Sequence, residues 1–136
     1  MVLLDTCTII WMVDDAPLSD IARAAIRRAA NSDSVFVSPV SAWEIGLIAN
    51  RESAGFRFHP SPVLWFQTLL AKPGIYLTPL APNAAIEAAA LPGRLHRDPA
   101  DRLLIATARD LGAPLVTRDT RILAYAAQGC LDVIPC

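Results

Sequence analysis

Short, solid apolar runs alternate along this chain with segments of helical period, and that alternation leaves few folds open. Val2-Leu3-Leu4, Val35-Phe36-Val37, Ile75-Tyr76-Leu77-Thr78 and Pro114-Leu115-Val116-Thr117 are too short for core helices. They also lack the in–out alternation of a strand with one wet face. The first run is expected to stop at Asp5-Thr6, with the next regular element a helix over residues 18–30, where Ser19 or Asp20 stands near the N-terminus. Residues 40–50 read as a second helix, and a third enters between Pro60 and Pro62 and runs to about Ala71. Pro82 opens a short Ala-rich helix over residues 82–90, and Pro99 opens a stronger one that Gly112 stops after Leu111. A last helix covers residues 120–127, with a terminal strand at Leu131-Asp132-Val133-Ile134. Fully apolar strands separated by helices predict an α/β fold: a three-layer α/β/α sandwich around a central parallel sheet, in one domain over residues 1–136.

Composition removes several functional classes. Apolar residues at 54% and charged residues at 18% exclude intrinsic disorder. Three cysteines without C-x-x-C spacing, and only His59 and His96, argue against a disulfide framework or a structural zinc site. A net charge of −1 excludes a uniformly basic nucleic-acid surface but leaves room for a local basic rim. No basic segment precedes the first apolar run, and no run approaches the ~20 residues of a membrane span. A cytoplasmic, reducing setting is therefore expected. The mean hydropathy of +0.39 is high for a lone domain, so some apolar surface is expected to be covered by other chains. Ile9-Ile10-Trp11-Met12 and Val63-Leu64-Trp65-Phe66 with Leu69 and Leu70 are the candidate faces, and each equally reads as core.

In an open α/β sheet the working crevice lies outside the carboxyl ends of the strands. Asp5 ends the first strand and Asp119 follows the fourth. Singly, each reads as a turn or helix-cap aspartate. Glu44 is flanked at −4, +3 and +4 by Val40, Leu47 and Ile48, and Asp101 at +3, +4 and +7 by Leu104, Ile105 and Ala108. A carboxylate on an apolar stripe is costly unless it is protonated, paired or metal-bound. Two such acids, with two strand-end aspartates, point to one shared pocket. Asp98 is accounted for as the N-cap of Asp98-Pro99-Ala100-Asp101, with Arg102 placed for an i+4 ion pair; it ranks below Asp101 as a ligand, reaching a metal through water. Hard oxygen ligands select Mg²⁺ or Mn²⁺, and the chemistry that fits is phosphodiester hydrolysis. Walker, dinucleotide and G-x-S-x-G motifs are absent from the sequence, Asp5-Thr6-Cys7 lacks the second acid of an aspartyl-phosphate site, and the one lysine, Lys72, is misplaced for a receiver.

Val2-Leu3-Leu4-Asp5-Thr6, Val40-Ser41-Ala42-Trp43-Glu44-Ile45, His96-Arg97-Asp98-Pro99-Ala100-Asp101-Arg102-Leu103-Leu104-Ile105-Ala106 and Leu115-Val116-Thr117-Arg118-Asp119, in that order, resemble a PIN-domain ribonuclease, in particular a VapC-type toxin. The resemblance spans essentially the whole chain. It implies a Mg²⁺- or Mn²⁺-dependent endoribonuclease with Asp5, Glu44, Asp101 and Asp119 as the acidic cluster, Thr6 and Thr117 as supporting hydroxyls, a homodimer, and inhibition by a cognate antitoxin. Arg94, Arg97, Arg102, Arg118 and Arg121 fall around the two late motifs and would supply a basic rim, with Arg97 and Arg118 the better candidates for RNA phosphates. Trp11 reads either as core or as a platform for a base, and His96 either as a residue approaching a phosphate or base or, equally, as a capping or surface residue, and not as catalytic. An amphipathic antitoxin helix would find a groove around Trp65. Three other readings remain open at this stage: an RNA-processing PIN nuclease that is not a toxin, a non-catalytic interaction module whose acids cap helices and pair with arginines, and a small-molecule phosphohydrolase, which lacks a nucleotide-recognition motif in the sequence.

Overall fold

In the computed structural model, which describes residues 1–51 and 57–136, five strands pair side by side in parallel. They are β1 (Val2–Leu4), β2 (Val35–Val37), β3 (Ile75–Leu77), β4 (Leu115–Thr117) and β5 (Val133–Pro135), in the order β3-β2-β1-β4-β5. The register sets Leu3 opposite Phe36 on one side and Leu115 on the other, so β1 is the central strand. Chain order reverses there: later strands add outward through β2 on one side and through β4 on the other, which makes the β1/β4 boundary the switch point where such sheets place their ligands.

Alternate residues of β1, β2 and β4 feed two separate cores, as strands covered on both faces require. The edge strand β3 instead buries Ile75 and leaves Tyr76 and Leu77 exposed, so its apolar run is not covered on both faces as its sequence suggested. Val2, Leu4, Val35, Val37 and Val116 pack with α1 (Thr6–Val13), α2 (Asp20–Ala30), α3 (Pro39–Ala49) and α4 (Pro62–Leu70). Leu3, Phe36 and Leu115 face the other way, against α5 (Pro82–Glu87), α6 (Pro99–Leu111) and α7 (Thr120–Ala126). Val40 of α3 joins Ala100 and Leu104 of α6 in a third small cluster at the end of the sheet, tying the two helical layers together beside the strand ends. The expected α/β/α sandwich is the observed one.

Most helix boundaries follow the local signals. Ser19, Ser38, Ser61 and Asp98 cap α2, α3, α4 and α6, prolines open α3, α4, α5 and α6, and Gly112 closes α6 in the left-handed conformation. The helix α1 departs from expectation. Its sequence, Thr6-Cys7-Thr8-Ile9-Ile10-Trp11-Met12-Val13, has no polar face and is rich in β-branched residues, so no helical period shows. It forms because Asp5 caps it and because Ile9 and Thr8 are fully buried against the sheet.

The Trp65 groove is also not what the fold contains. Trp65, Phe66 and Leu69 belong to the core, and the exposed apolar residues of α4 are Val63 and Leu64. A helix laid on the sheet turns one face inward, and here the large aromatic rings took that face.

Two glycines with positive φ differ sharply in their surroundings. Gly74, at the entry to β3, has φ +80°, and a Cβ there would stand 2.6 Å from the Ala30 carbonyl oxygen, whereas Gly112 (φ +60°) has open space around it. Gly74→Ala should therefore destabilise the protein by roughly 3 kcal/mol or more and Gly112→Ala by only about 1 kcal/mol. Urea denaturation of the two variants checks the order, and equal losses would show that the backbone at Ala30 yields easily.

Candidate active site

The carboxyl ends of β1 and β4 open into a pocket of about 290 Å³ lined by Asp5, Glu44, Asp98, Asp101 and Asp119, together with Thr6, Cys7, Trp11, Leu104, Arg118 and Arg121. Four elements deliver the acids. Asp5 follows β1 and caps α1, Asp119 follows β4 and caps α7, Glu44 projects from α3, and Asp101 lies in the first turn of α6.

Asp5 is the most constrained of them, only 5% exposed. Its Oδ1 accepts the Thr8 backbone N–H at 2.9 Å, and its Oδ2 accepts the Thr117 hydroxyl. Thr117 Oγ1 in turn accepts the Asp119 backbone N–H at 3.0 Å, so one buried hydroxyl joins the two strand-end aspartates. Burial pushes the Asp5 pKa up, against the pull of the hydrogen bonds from Thr117 and Thr8. Glu44 is held from the other side: Thr6 donates its hydroxyl to Glu44 Oε2 and lies 3.0 Å from Ser41 Oγ. Ser41 is fully buried one helical turn before Glu44 and is a site residue that sequence reading overlooked; the signal was a small hydroxyl at i−3 of the acid in an otherwise apolar helix.

Asp98 caps α6 by accepting the N–H groups of Ala100 (3.0 Å) and Asp101 (3.3 Å), as its position suggested, and is exposed at the pocket wall. It makes no ion pair with Arg102. That guanidinium binds three backbone carbonyls instead, those of Ala88 (2.7 Å), His96 (3.2 Å) and Ala89 (3.2 Å), pinning the chain segment before α6 rather than joining a basic rim. His96 accepts the Asp98 N–H at Nδ1 at 3.3 Å, and its buried Nε2 lies 3.3 Å from Asp101 Oδ2 without a hydrogen-bond partner. Its role is thus internal rather than at the surface. Arg118 lies 4.0 Å over the Trp11 ring and donates to the Cys136 and Pro17 carbonyls, while Arg97 is exposed. Trp11 is therefore a pocket wall with a guanidinium on its face.

The acids disturb one another. Burial, then Asp98 and Asp119, push Asp101 up to about 7. Glu44 is raised by burial and then by Asp5 and Asp98. Partial desolvation and all four carboxylates push the neighbouring Cys7 thiol up to about 12, so it stays neutral at physiological pH. Asp119 alone moves down: its desolvation is outweighed by hydrogen bonds from the Arg121 side chain and from the Arg121 and Ile122 backbone. Such a donor set, all carboxylate and mutually repelling, suits a hard divalent cation. Among the described residues no three His, Cys, Asp or Glu side chains already converge on a single ligating point. Mg²⁺ does not need that, because it binds through one or two carboxylates and keeps several waters.

The PIN domain family model matches residues 2–128. The chain belongs to the PIN domain family. This PIN domain is 33% identical over 125 residues to Ribonuclease VapC22 of Mycobacterium tuberculosis, covering 91% of each chain. Solved structures with the same fold include VapBC2 from Rickettsia felis bound to a promoter DNA fragment (TM-score 0.70, 13% identity, 99% of this chain and 98% of that one). DNA-bound VapBC from Salmonella typhimurium (0.65, 16%, 99% and 98%) and FitAcB from Neisseria gonorrhoeae (0.65, 21%, 98% and 96%) superpose similarly.

A carboxyl whose pKa rises from 3.8 toward 7 on folding takes up a proton between those limits, so its contribution to stability falls as pH rises through that window. Asp101→Asn removes the cost. In EDTA at pH 8 the variant should melt ~3 °C above the parent, ~1 kcal/mol, and the gap should narrow toward pH 5. Thermal melts at the two pH values check this; a lower melting point for the variant at pH 8 would mean that the His96 and Arg121 contacts outweigh burial.

Proposed function

We propose that this PIN domain is a Mg²⁺- or Mn²⁺-dependent endoribonuclease, the toxin of a toxin–antitoxin pair, acting in the cytoplasm as a homodimer restrained by a cognate antitoxin. The observation that carries the reading is the convergence of Asp5, Glu44, Asp101 and Asp119 on one pocket, in a chain one-third identical to a ribonuclease over nearly all of both lengths. The antitoxin is supported by solved neighbours that are themselves toxin–antitoxin complexes, and by exposed Trp43, Leu47, Val63 and Leu64, which leave apolar surface for a partner.

Asp5, Glu44, Asp101 and Asp119 would hold the metal, with Asp98 reaching it through water. The ion, when bound, supplies charge to polarise the phosphate and acidify a water. The chain's own residues do the rest. Thr117 and the Thr8 N–H fix both oxygens of Asp5, and Thr6 fixes Glu44, so these carboxylates meet a substrate already oriented. A carboxylate on the pocket floor would accept a proton from the attacking water as it adds to phosphorus, and the bond to the leaving ribose oxygen would break as a solvent water gives that oxygen its proton. Arg97, exposed beside the pocket acids in sequence, and Arg118, on the pocket wall, would meet neighbouring phosphates, and Trp11 would offer an edge to a splayed base.

Antitoxin-free protein with a structured RNA pool and Mg²⁺ or Mn²⁺ tests the reading. Cutting should fall at least ~100-fold in EDTA and in a folded Asp5→Asn variant. Cutting that survives Asp5→Asn would overturn the site assignment, and folded protein that cuts nothing in any divalent ion would favour a binding module.

A further inference from the structure

Arg118 and Arg121 line the pocket, Arg102 lies outside its lining, and the three are held in different ways. Arg102 is spent on three backbone carbonyls and Arg118 on two. Arg121 binds neither: among the described residues its side-chain hydrogen bonds go to the acids alone. Its Nη2 stands 3.1 Å from Asp101 Oδ2 and 3.1 Å from Asp119 Oδ2, with Nε at 3.4 Å from Asp119 Oδ1. The guanidinium is thus a clip between α6 and α7 across the pocket mouth. Asp101 is only 14% exposed in its side chain, but Arg121 is 54% exposed, on a long stem reaching in from solvent.

A divalent ion held by Asp101 and Asp119 would lie between their carboxylates. A guanidinium nitrogen at hydrogen-bond distance from both stands in that space, and two cations cannot share it. We propose that Arg121 is an internal competitor for the divalent ion: side chain and metal claim the same pair of carboxylates, and metal loading requires Arg121 to swing out. Exposed ion pairs are weak, so the clip is displaceable by an ion at modest concentration, unlike the buried Thr117–Asp5 link. Swung out, the guanidinium remains at the mouth, on the N-terminal turn of α7, within reach of a substrate phosphate. The inference rests on the pocket being a metal site, as proposed above.

Mn²⁺ titration of the full chain, followed by the electron paramagnetic resonance signal of free Mn²⁺, tests it without any catalytic readout. Arg121→Gln should bind Mn²⁺ about three- to tenfold more tightly than the parent. Arg118→Gln removes an equal charge from the same pocket without touching a carboxylate and should change affinity by less than about twofold. Arg121→Gln should also show the larger rise in melting temperature at a fixed Mn²⁺ concentration. If the parent binds Mn²⁺ and Asp5→Asn abolishes it, but Arg121→Gln binds no better than the parent, the competitor role falls and the metal site stands. Equal tightening in Arg118→Gln would likewise reduce the effect to net charge and overturn the proposal. If neither the parent nor Arg121→Gln binds Mn²⁺, the metal site and the competitor fall together.

Discussion

A carboxylate buried at the end of the central strand is the constraint around which this molecule is arranged. Asp5 sits where β1 ends, nearly out of solvent, and a buried acid needs its oxygens satisfied. The fold answers with the first turn of α1 on one side and with Thr117, from the far end of β4, on the other. Those two bonds require a helix to begin at Thr6 and require β1 and β4 to be neighbours in a fixed register. The same Thr117 hydroxyl receives the Asp119 N–H, so the start of α7 is set by the same atom. Moving β4 by one residue would turn Thr117 to the other face of the sheet and leave Asp5 unpaired.

Around that anchor the structure gathers negative charge rather than dispersing it. Asp98 and Asp119 help raise Asp101, Asp5 and Asp98 help raise Glu44, and the Cys7 thiol registers all four acids of the cluster. The charge is balanced unevenly. Glu44 and Asp5 are met by threonine hydroxyls that donate without adding charge, while Asp101 and Asp119 are met by a solvent-reaching arginine. The inner half of the site is therefore fixed by neutral, buried contacts, and the outer half by an ion pair that water and salt weaken. Rigid acids deep in the pocket and an adjustable mouth are what the proposed cleavage of a long, charged polymer would require.

Much of this was legible in the sequence because it depends on short-range signals. The period of Val2–Leu4 and Val35–Val37 marks strands with two covered faces, prolines and serines mark where helices begin, and Gly112 marks where α6 ends. Asp98 as a cap followed from its three successors alone. The acids could be grouped because strand ends and apolar helix stripes are visible in one dimension. What resisted reading were contacts in which the local pattern is silent. Apolar and β-branched, α1 looks like nothing in particular until a cap and a sheet face are supplied. Trp65 faces the core rather than a partner because the face of α4 is chosen by the sheet beneath it.

The sequence by itself determined the alternation of elements, the two-faced parallel sheet and the placement of carboxylates at its carboxyl ends, because burial period and capping act within a turn or a strand. Only the tertiary structure decided what the polar groups outside the local caps answer to. Thr117 reaches Asp5 across 112 residues, Thr6 reaches Glu44 across 38, Arg121 bridges two helices, and Arg102 leaves the basic rim for three carbonyls. Hydrogen bonds and ion pairs act over about 3 Å. Which groups come that close is fixed by how layers pack and strands register, and the spacing of residues along the chain carries no record of it.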